Sequence, residues 1–371
     1  MKRILAMALA VLMLFTLCAC GAEKPADDTK GDATTTTTTT TTTAATTTTT
    51  TEGETTTTTE GETTTTEAEV TTTTDTAAPT TSTTAGTTTT TKAPTTTTTK
   101  APTTTTTTVI PDTGSVPESI SILSVGNSFS VDAMQNHLYP MLQAAGCKEI
   151  RLGILYVGGA TLETHYENIR LDRAKYQYQE NNDGTWTYTE DYKASTAFAL
   201  TDWDYVTVQQ ASPDSGRPIS YGNLDALMDL IQPQIGDAKV YWHMTWAYQQ
   251  DSDHSAFVNY NKDQSRMYRG IVDAYKRKIM DNPDFVGVFP NGTSIQNLRT
   301  SGLGDTVTAD GYHLLDTYGD YTAALTWLCV LTGRPAASTR YRPATIADYF
   351  DAIAQSVDNA IANPYAVTPC K

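Results

Sequence analysis

From residue 118 onward the sequence predicts an α/β domain: a mainly parallel five-stranded sheet layered between helices on both faces. Three observations lead there. Short β-rich apolar runs alternate with segments whose apolar residues recur at helical spacing. The runs are apolar along most of their length, as strands covered on both faces must be. Each run also ends in a small polar or glycine-containing motif, where parallel strands present their carboxyl ends to ligands.

The elements follow in order. Residues 120–125 form the first buried strand, closed by Gly126-Asn127-Ser128-Phe129-Ser130. Ser130 is placed to cap the next helix, with Asp132 in its first turn. Met134, Leu138, Met141 and Leu142 then recur at helical spacing up to Gly146, a natural helix stop. Residues 150–157, 204–209, 239–244 and 285–289 supply four further strands. Helical patterns fall on Leu224, Leu227, Met228 and Ile231, on Tyr268, Ile271, Val272 and Tyr275, and on the apolar stretch 321–331. Ile346, Tyr349, Phe350, Ile353 and Val357 mark the last amphipathic helix. Polar and aromatic residues alternate through 176–180 and 185–189 around Asp183-Gly184, the signature of a β-hairpin, expected to project from the sheet with its aromatics covering the core edge.

The preceding third of the chain is of another kind. Lys2 and Arg3, an apolar run to Leu17, and Cys18-Ala19-Cys20 read as a targeting segment too short to span a bilayer permanently. Residues 21–117 are threonine runs broken by Glu-Gly-Glu and Lys-Ala-Pro, with almost no large apolar side chains. Such a segment cannot offset chain entropy and is expected to be a disordered stalk, a composition suited to O-glycosylation. The remaining roughly 250 residues suffice for one core. A net charge of −16 argues against nucleic acid as a partner and against a membrane held by charge. Of five cysteines, Cys147, Cys329 and Cys370 fall in the domain, with no disulfide framework and no metal-ligand spacing.

Chemistry concentrates at the strand ends. Ser128 lies between a glycine turn and a helix start, where its backbone N–H would face a crevice. Taken alone it could equally be a cap. Asp310 and His313, three residues apart, can place a carboxylate against the imidazole Nδ1 and leave Nε2 as a general base. Gly158-Gly159-Ala160-Thr161, Gln209-Gln210-Ala211-Ser212, Met244-Thr245-Trp246 and Pro290-Asn291-Gly292 end the other strands. His165, Trp246 and Asn291 are further pocket candidates, Trp246 as a sugar platform. Gln296, Asn297 and Arg299 are expected to fix the loop after the fifth strand. His137 and His254 show no constellation.

Together these motifs resemble the SGNH (GDSL-type) hydrolase superfamily, a flavodoxin-like fold, across the whole domain. More narrowly they resemble a bacterial lipoprotein branch catalogued as a domain of unknown function. The resemblance implies Ser128 as nucleophile, His313 as base and Asp310 as its orienting carboxylate. It implies an oxyanion hole from the N–H groups of Ser128 and Gly159, with Gly158 second to Gly159. The third donor is normally an asparagine from a Gly-x-Asn block, and this chain has Gln209-Gln210-Ala211 there. Gln210, with Gln209 as alternate, is assigned to that role because a glutamine amide donates the same bond. Asn127 replaces the usual aspartate of the nucleophile block. Leu17-Cys18-Ala19-Cys20 resembles a lipobox, which implies cleavage before Cys20 and its lipidation, hence a lipid-anchored, extracytoplasmic protein. No cofactor or metal is implied. The function expected is removal of O-acetyl or other small acyl groups from extracellular polysaccharide. A non-catalytic glycan-binding domain on the same scaffold, or an esterase acting on lipid or peptidoglycan, are the alternatives.

Overall fold

The computed structural model describes residues 114–371. The targeting segment, Cys20 and the stalk up to residue 113 lie outside the described residues. Among the described residues seven strands form one sheet: β1 (Ser119–Gly126), β2 (Glu149–Tyr156), β3 (Tyr176–Asn181), β4 (Trp186–Tyr192), β5 (Tyr205–Val208), β6 (Lys239–His243) and β7 (Gly287–Phe289), in spatial order β4-β3-β2-β1-β5-β6-β7. The five strands read from the sequence are the parallel set β2-β1-β5-β6-β7. The count of five falls short because the hairpin does not project. Its first strand pairs antiparallel with β2 and its second with β3, so it continues the sheet. Unpaired backbone groups along β2 would otherwise be left open. Most hairpin aromatics cover core: Tyr176 and Tyr178 belong to it, Tyr192 and Trp186 pack against it, and Tyr188 is exposed.

Among the described residues nine helices accompany the strands: α1 (Ser128–Met134), α2 (Leu138–Ala145), α3 (Leu162–Arg170), α4 (Ala194–Phe198), α5 (Leu224–Ile231), α6 (Gln264–Lys278), α7 (Asn291–Leu298), α8 (Tyr318–Thr332) and α9 (Phe350–Ala362). Connections from β1 run outward to β2, and those from β5 run the other way to β6. Right-handed crossovers therefore put their helices on opposite faces. Helix α5 packs on α3, whereas α8 packs on α1, α2, α7 and α9, giving three layers. The strand order reverses between β1 and β5. Their carboxyl ends form the switch point at which ligands bind in open parallel sheets.

Two local readings change. Asn127, not Ser130, caps the first helix: its Oδ1 accepts the Phe129 N–H, while Ser130 is buried inside α1. The apolar periodicity from Met134 to Leu142 covers two helices, α1 and α2, rather than one. Gly146 ends α2 with φ of 119°, as a left-handed stop requires. After β7 the chain forms helix α7 instead of a loop. Every residue of α7 is buried and most are polar. It survives burial because its side chains are paired: Asn291 with the Ala323 carbonyl and Trp327, Thr293 with Tyr268 and the Pro364 carbonyl, Asn297 with the Ser356 carbonyl. Cys147, Cys329 and Cys370 are buried free thiols.

Candidate active site

Tight turns carry the chemistry to the switch point. β1 ends at Gly126, and the Asn127 cap turns the chain so that Ser128 opens α1. The Ser128 N–H precedes the bond that Phe129 makes to Asn127 and donates to no protein group among the described residues. Opposite, Asp310 is held in a turn around Gly311, whose φ is 90° and whose missing Cβ would lie 3.1 Å from Ser252 Cα. Only glycine fits both conditions.

The structure brings Ser128, His313 and Asp310 into one hydrogen-bonded chain. Asp310 Oδ1 accepts the N–H groups of Tyr312 at 3.1 Å and His313 at 2.8 Å. That leaves Oδ2 for the His313 Nδ1–H at 2.7 Å. The ring must then present a lone pair at Nε2, which lies 2.8 Å from Ser128 Oγ. Burial works against the Asp310 charge, but the His313 N–H, its ring and the Tyr312 N–H outweigh it and hold the carboxyl below its usual range.

A cavity of about 290 Å³ opens beside this chain. Ser128, Gly158 and Gly159 line it, with Tyr156, Pro213 and Tyr312 around them. Gly159 has φ of 63°, and its N–H, like that of Ser128, donates to no protein group among the described residues. A larger polar depression of about 470 Å³ lies at the amino ends of β1 and β2, lined by Lys148, Arg151 and Asp204. It holds no comparable constellation and sits at the wrong end of the sheet for this fold.

Several candidates do not reach the cavity. Gln210 is buried, with its Nε2 donating to the Ser220 carbonyl and hydroxyl and its Oε1 accepting the N–H groups of Leu162 and Ala211. Its amide ties two loops together and is not directed to an oxyanion. Gln209 lies beneath the site. Its Nε2 donates to Asn127 Oδ1 at 2.6 Å, and its Oε1 accepts from Ser130 Oγ at 2.6 Å and His243 Nδ1 at 2.8 Å. Asn127 Nδ2 in turn donates to the Ala160 carbonyl, joining the turn that carries Ser128 to the glycine turn. His165 is fully buried, stacked on Tyr176, and its burial pushes the imidazole down to about 4. Trp246 is not a surface platform. It stacks on Phe129 and its Nε1–H donates to the Tyr312 carbonyl at 2.7 Å, bracing both halves of the site from behind. Asn291 is fully buried in α7.

Other residues at the site escaped the sequence reading. His254, Tyr312, Tyr156 and Ser212 line the cavity, and Ser212 Oγ bonds Tyr248 Oη. Asp132 accepts the Leu314 N–H at 2.8 Å, beside His313. Burial raises its carboxyl to about 6, against the opposing pull of the Leu314 N–H and of His313. Their meeting has no local signature, because Tyr156 ends β2, Asp132 lies in α1, and Ser212, His254 and Tyr312 come from three separate loops.

Residues 121–361 match the family model described as "Domain of unknown function (DUF4886)". A crystal structure of a DUF4886 family protein from Bacteroides uniformis is similar at 40% identity and a TM-score of 0.65, over 67% of this chain and 97% of that one. An acetylxylan esterase from Geobacillus stearothermophilus, solved as a catalytic mutant, is similar at 10% identity and a TM-score of 0.35, over 62% of this chain and 100% of that one. No curated protein matches the chain.

Proposed function

The chain belongs to the DUF4886 family, a domain of unknown function, and from its site we propose that it is a serine esterase. The observation that carries this is the unbroken chain from Asp310 Oδ2 through His313 to Ser128 Oγ, 2.7 and 2.8 Å long, at the mouth of a cavity. Ser128 Oγ attacks the ester carbonyl carbon as His313 Nε2 takes its proton. Asp310 holds the ring in that tautomer and stabilises the imidazolium that forms. The N–H groups of Ser128 and Gly159 receive the oxyanion. Collapse breaks the bond to the alcohol oxygen, which leaves with the proton from His313. Water then attacks the acyl-serine by the same base, releasing the acid and regenerating Ser128.

The substrate proposed is an O-acetyl or other small acyl group on extracellular polysaccharide. The small cavity flanked by Tyr156 and Tyr312 suits a short acyl chain beside a sugar ring. Lipidation at Cys20 and the threonine-rich stretch would hold the domain outside the cell, away from its surface. The test is acetate release from acetylated polysaccharide by the full-length protein, with Ser128→Ala as control. Serine-dependent release is expected. Release that persists in the variant overturns Ser128 as nucleophile. Hydrolysis of p-nitrophenyl acetate without release from any acetylated polymer keeps the esterase and discards the substrate class.

A further inference from the structure

His254 lies on the cavity wall with Ser128 and His313, and the reaction just described does not use it. It precedes a 3-10 turn, Ser255–Tyr260, and its Nδ1 accepts the Ala256 N–H at 3.2 Å. A ring nitrogen that accepts an amide N–H holds a lone pair, so the proton of the neutral ring sits on Nε2. Burial keeps this imidazole below its ordinary value, although Asp310 and Asp253 push it back up. The ring's attitude is also set. Tyr312 meets it at 4.8 Å and 72°, Tyr248 at 4.7 Å and 44°, and the His254 N–H donates to Ser252 Oγ. Ser252 in turn packs against Gly311 in the turn that carries His313. The wall is therefore registered to the base. Nε2 bonds no protein group among the described residues.

A fixed N–H donor on the wall of the cavity that holds Ser128 can meet an acceptor from the substrate. The carbonyl oxygen is claimed by the Ser128 and Gly159 N–H groups, and the leaving oxygen by His313. What remains is an oxygen on the alcohol, next to the ester. We propose that His254 is a specificity-determining residue that donates from Nε2 to a neighbouring oxygen of the alcohol moiety, so that the site prefers esters of vicinal diols and polyols to esters of simple alcohols. This rests on the esterase reading above.

A matched pair of substrates tests it on the full-length protein: the monoacetate of trans-1,2-cyclohexanediol and cyclohexyl acetate. They share ring and ester and differ by one vicinal hydroxyl. The expected preference in kcat/KM for the diol ester is about tenfold, the weight of one neutral hydrogen bond. His254→Phe, which keeps a ring but no donor, should collapse that ratio to near one, and His254→Gln, which returns an N–H at similar reach, should restore part of it. A wild-type ratio near one, or a ratio that persists in His254→Phe, overturns the assignment while leaving the esterase intact. Absence of turnover of both esters and of p-nitrophenyl acetate by the wild type overturns the esterase and the subsite together.

Discussion

Two sets of polar side chains meet at the carboxyl ends of β1 and β5, and they differ in their access to water. Ser128 and His313 open on the cavity, and the Asp310 side chain behind them is 44% exposed. A few ångströms of backbone away, Ser124, Ser130, Thr207, Gln209, Asn127 and His243 are sealed, none more than 2% exposed. The sealed set is wired in one direction. Thr207 Oγ1 donates to Ser124, Ser124 to Ser130, Ser130 to Gln209, Gln209 to Asn127, and Asn127 to the Ala160 carbonyl. His243 also donates to Gln209, and burial pushes its imidazole down to about 3, so it stays neutral. The sealed set joins the two turns that carry Ser128 and Gly159. Serine and histidine thus stand either open at the site or wired into the scaffold, according to how far the surrounding segments bury them.

The comparison breaks most visibly at Ser128. Ser128→Ala should lower p-nitrophenyl acetate turnover by at least about 10³-fold, with the melting temperature within about 2 °C of wild type. Turnover near the wild-type rate would place the chemistry elsewhere. Asp310→Asn should follow with a loss of roughly 10²- to 10⁴-fold, because an amide cannot hold the ring in the productive tautomer as the carboxylate does. Steady-state rates that stay within a few-fold would remove Asp310 from the site.

The sealed set should respond in stability first. Gln209→Met leaves the Ser130 hydroxyl proton and the His243 Nδ1–H without their acceptor and takes one of two donors from Asn127 Oδ1. The expected cost is roughly 3 kcal/mol by urea unfolding, with kcat falling as the glycine turn loosens. A variant as stable as wild type would show that the wiring has no structural weight. A smaller effect is expected at two carboxyls, Asp132 beside His313 and Asp320 beside Asp132 and Asn136. Burial raises their carboxyls to about 6 and about 8, Asp320 further lifted by Asp132. A carboxyl raised in the folded state stabilises it fully below the unfolded value and loses that contribution as pH rises through the folded value. Stability should therefore decline from about pH 4 toward 8. Asp320→Asn should flatten the upper part of that decline by on the order of 1 kcal/mol, measured as urea midpoints at pH 5 and pH 8. An unchanged slope would refute the raised carboxyl. Gly159→Ala should have the least effect on stability, about 1 kcal/mol, since its φ is positive but the added Cβ meets nothing within 4 Å.

How far the chain could be read depended on the range of the interaction. The parallel strands and the larger helices were legible because their apolar periodicity is local. Helix α7 was not, since its polar residues carry no amphipathic pattern and become helical only inside a shell of partners from α8, α9 and the chain after α9. Among site residues, Ser128 and the Asp310–His313 spacing were legible, because a turn of four residues sets their mutual geometry. Gln210 was misread for the opposite reason. Its amide can serve an oxyanion or a loop, and the choice depends on Leu162 and Ser220 arriving beside it. His165, Trp246 and Asn291 likewise carry chemistry-capable groups that packing turns inward. His254 gave no signal at all, being some sixty residues from the base whose turn it supports.

By itself, then, the sequence determined which groups could do chemistry and that they lie at strand ends, since composition and short spacing are properties of neighbouring residues. The tertiary structure alone decided which of them face a cavity, which are wired into the core, and where the hairpin pairs. Those outcomes are set by contacts between segments distant in sequence, and a side chain's hydrogen-bond partner is unknown until both segments have docked.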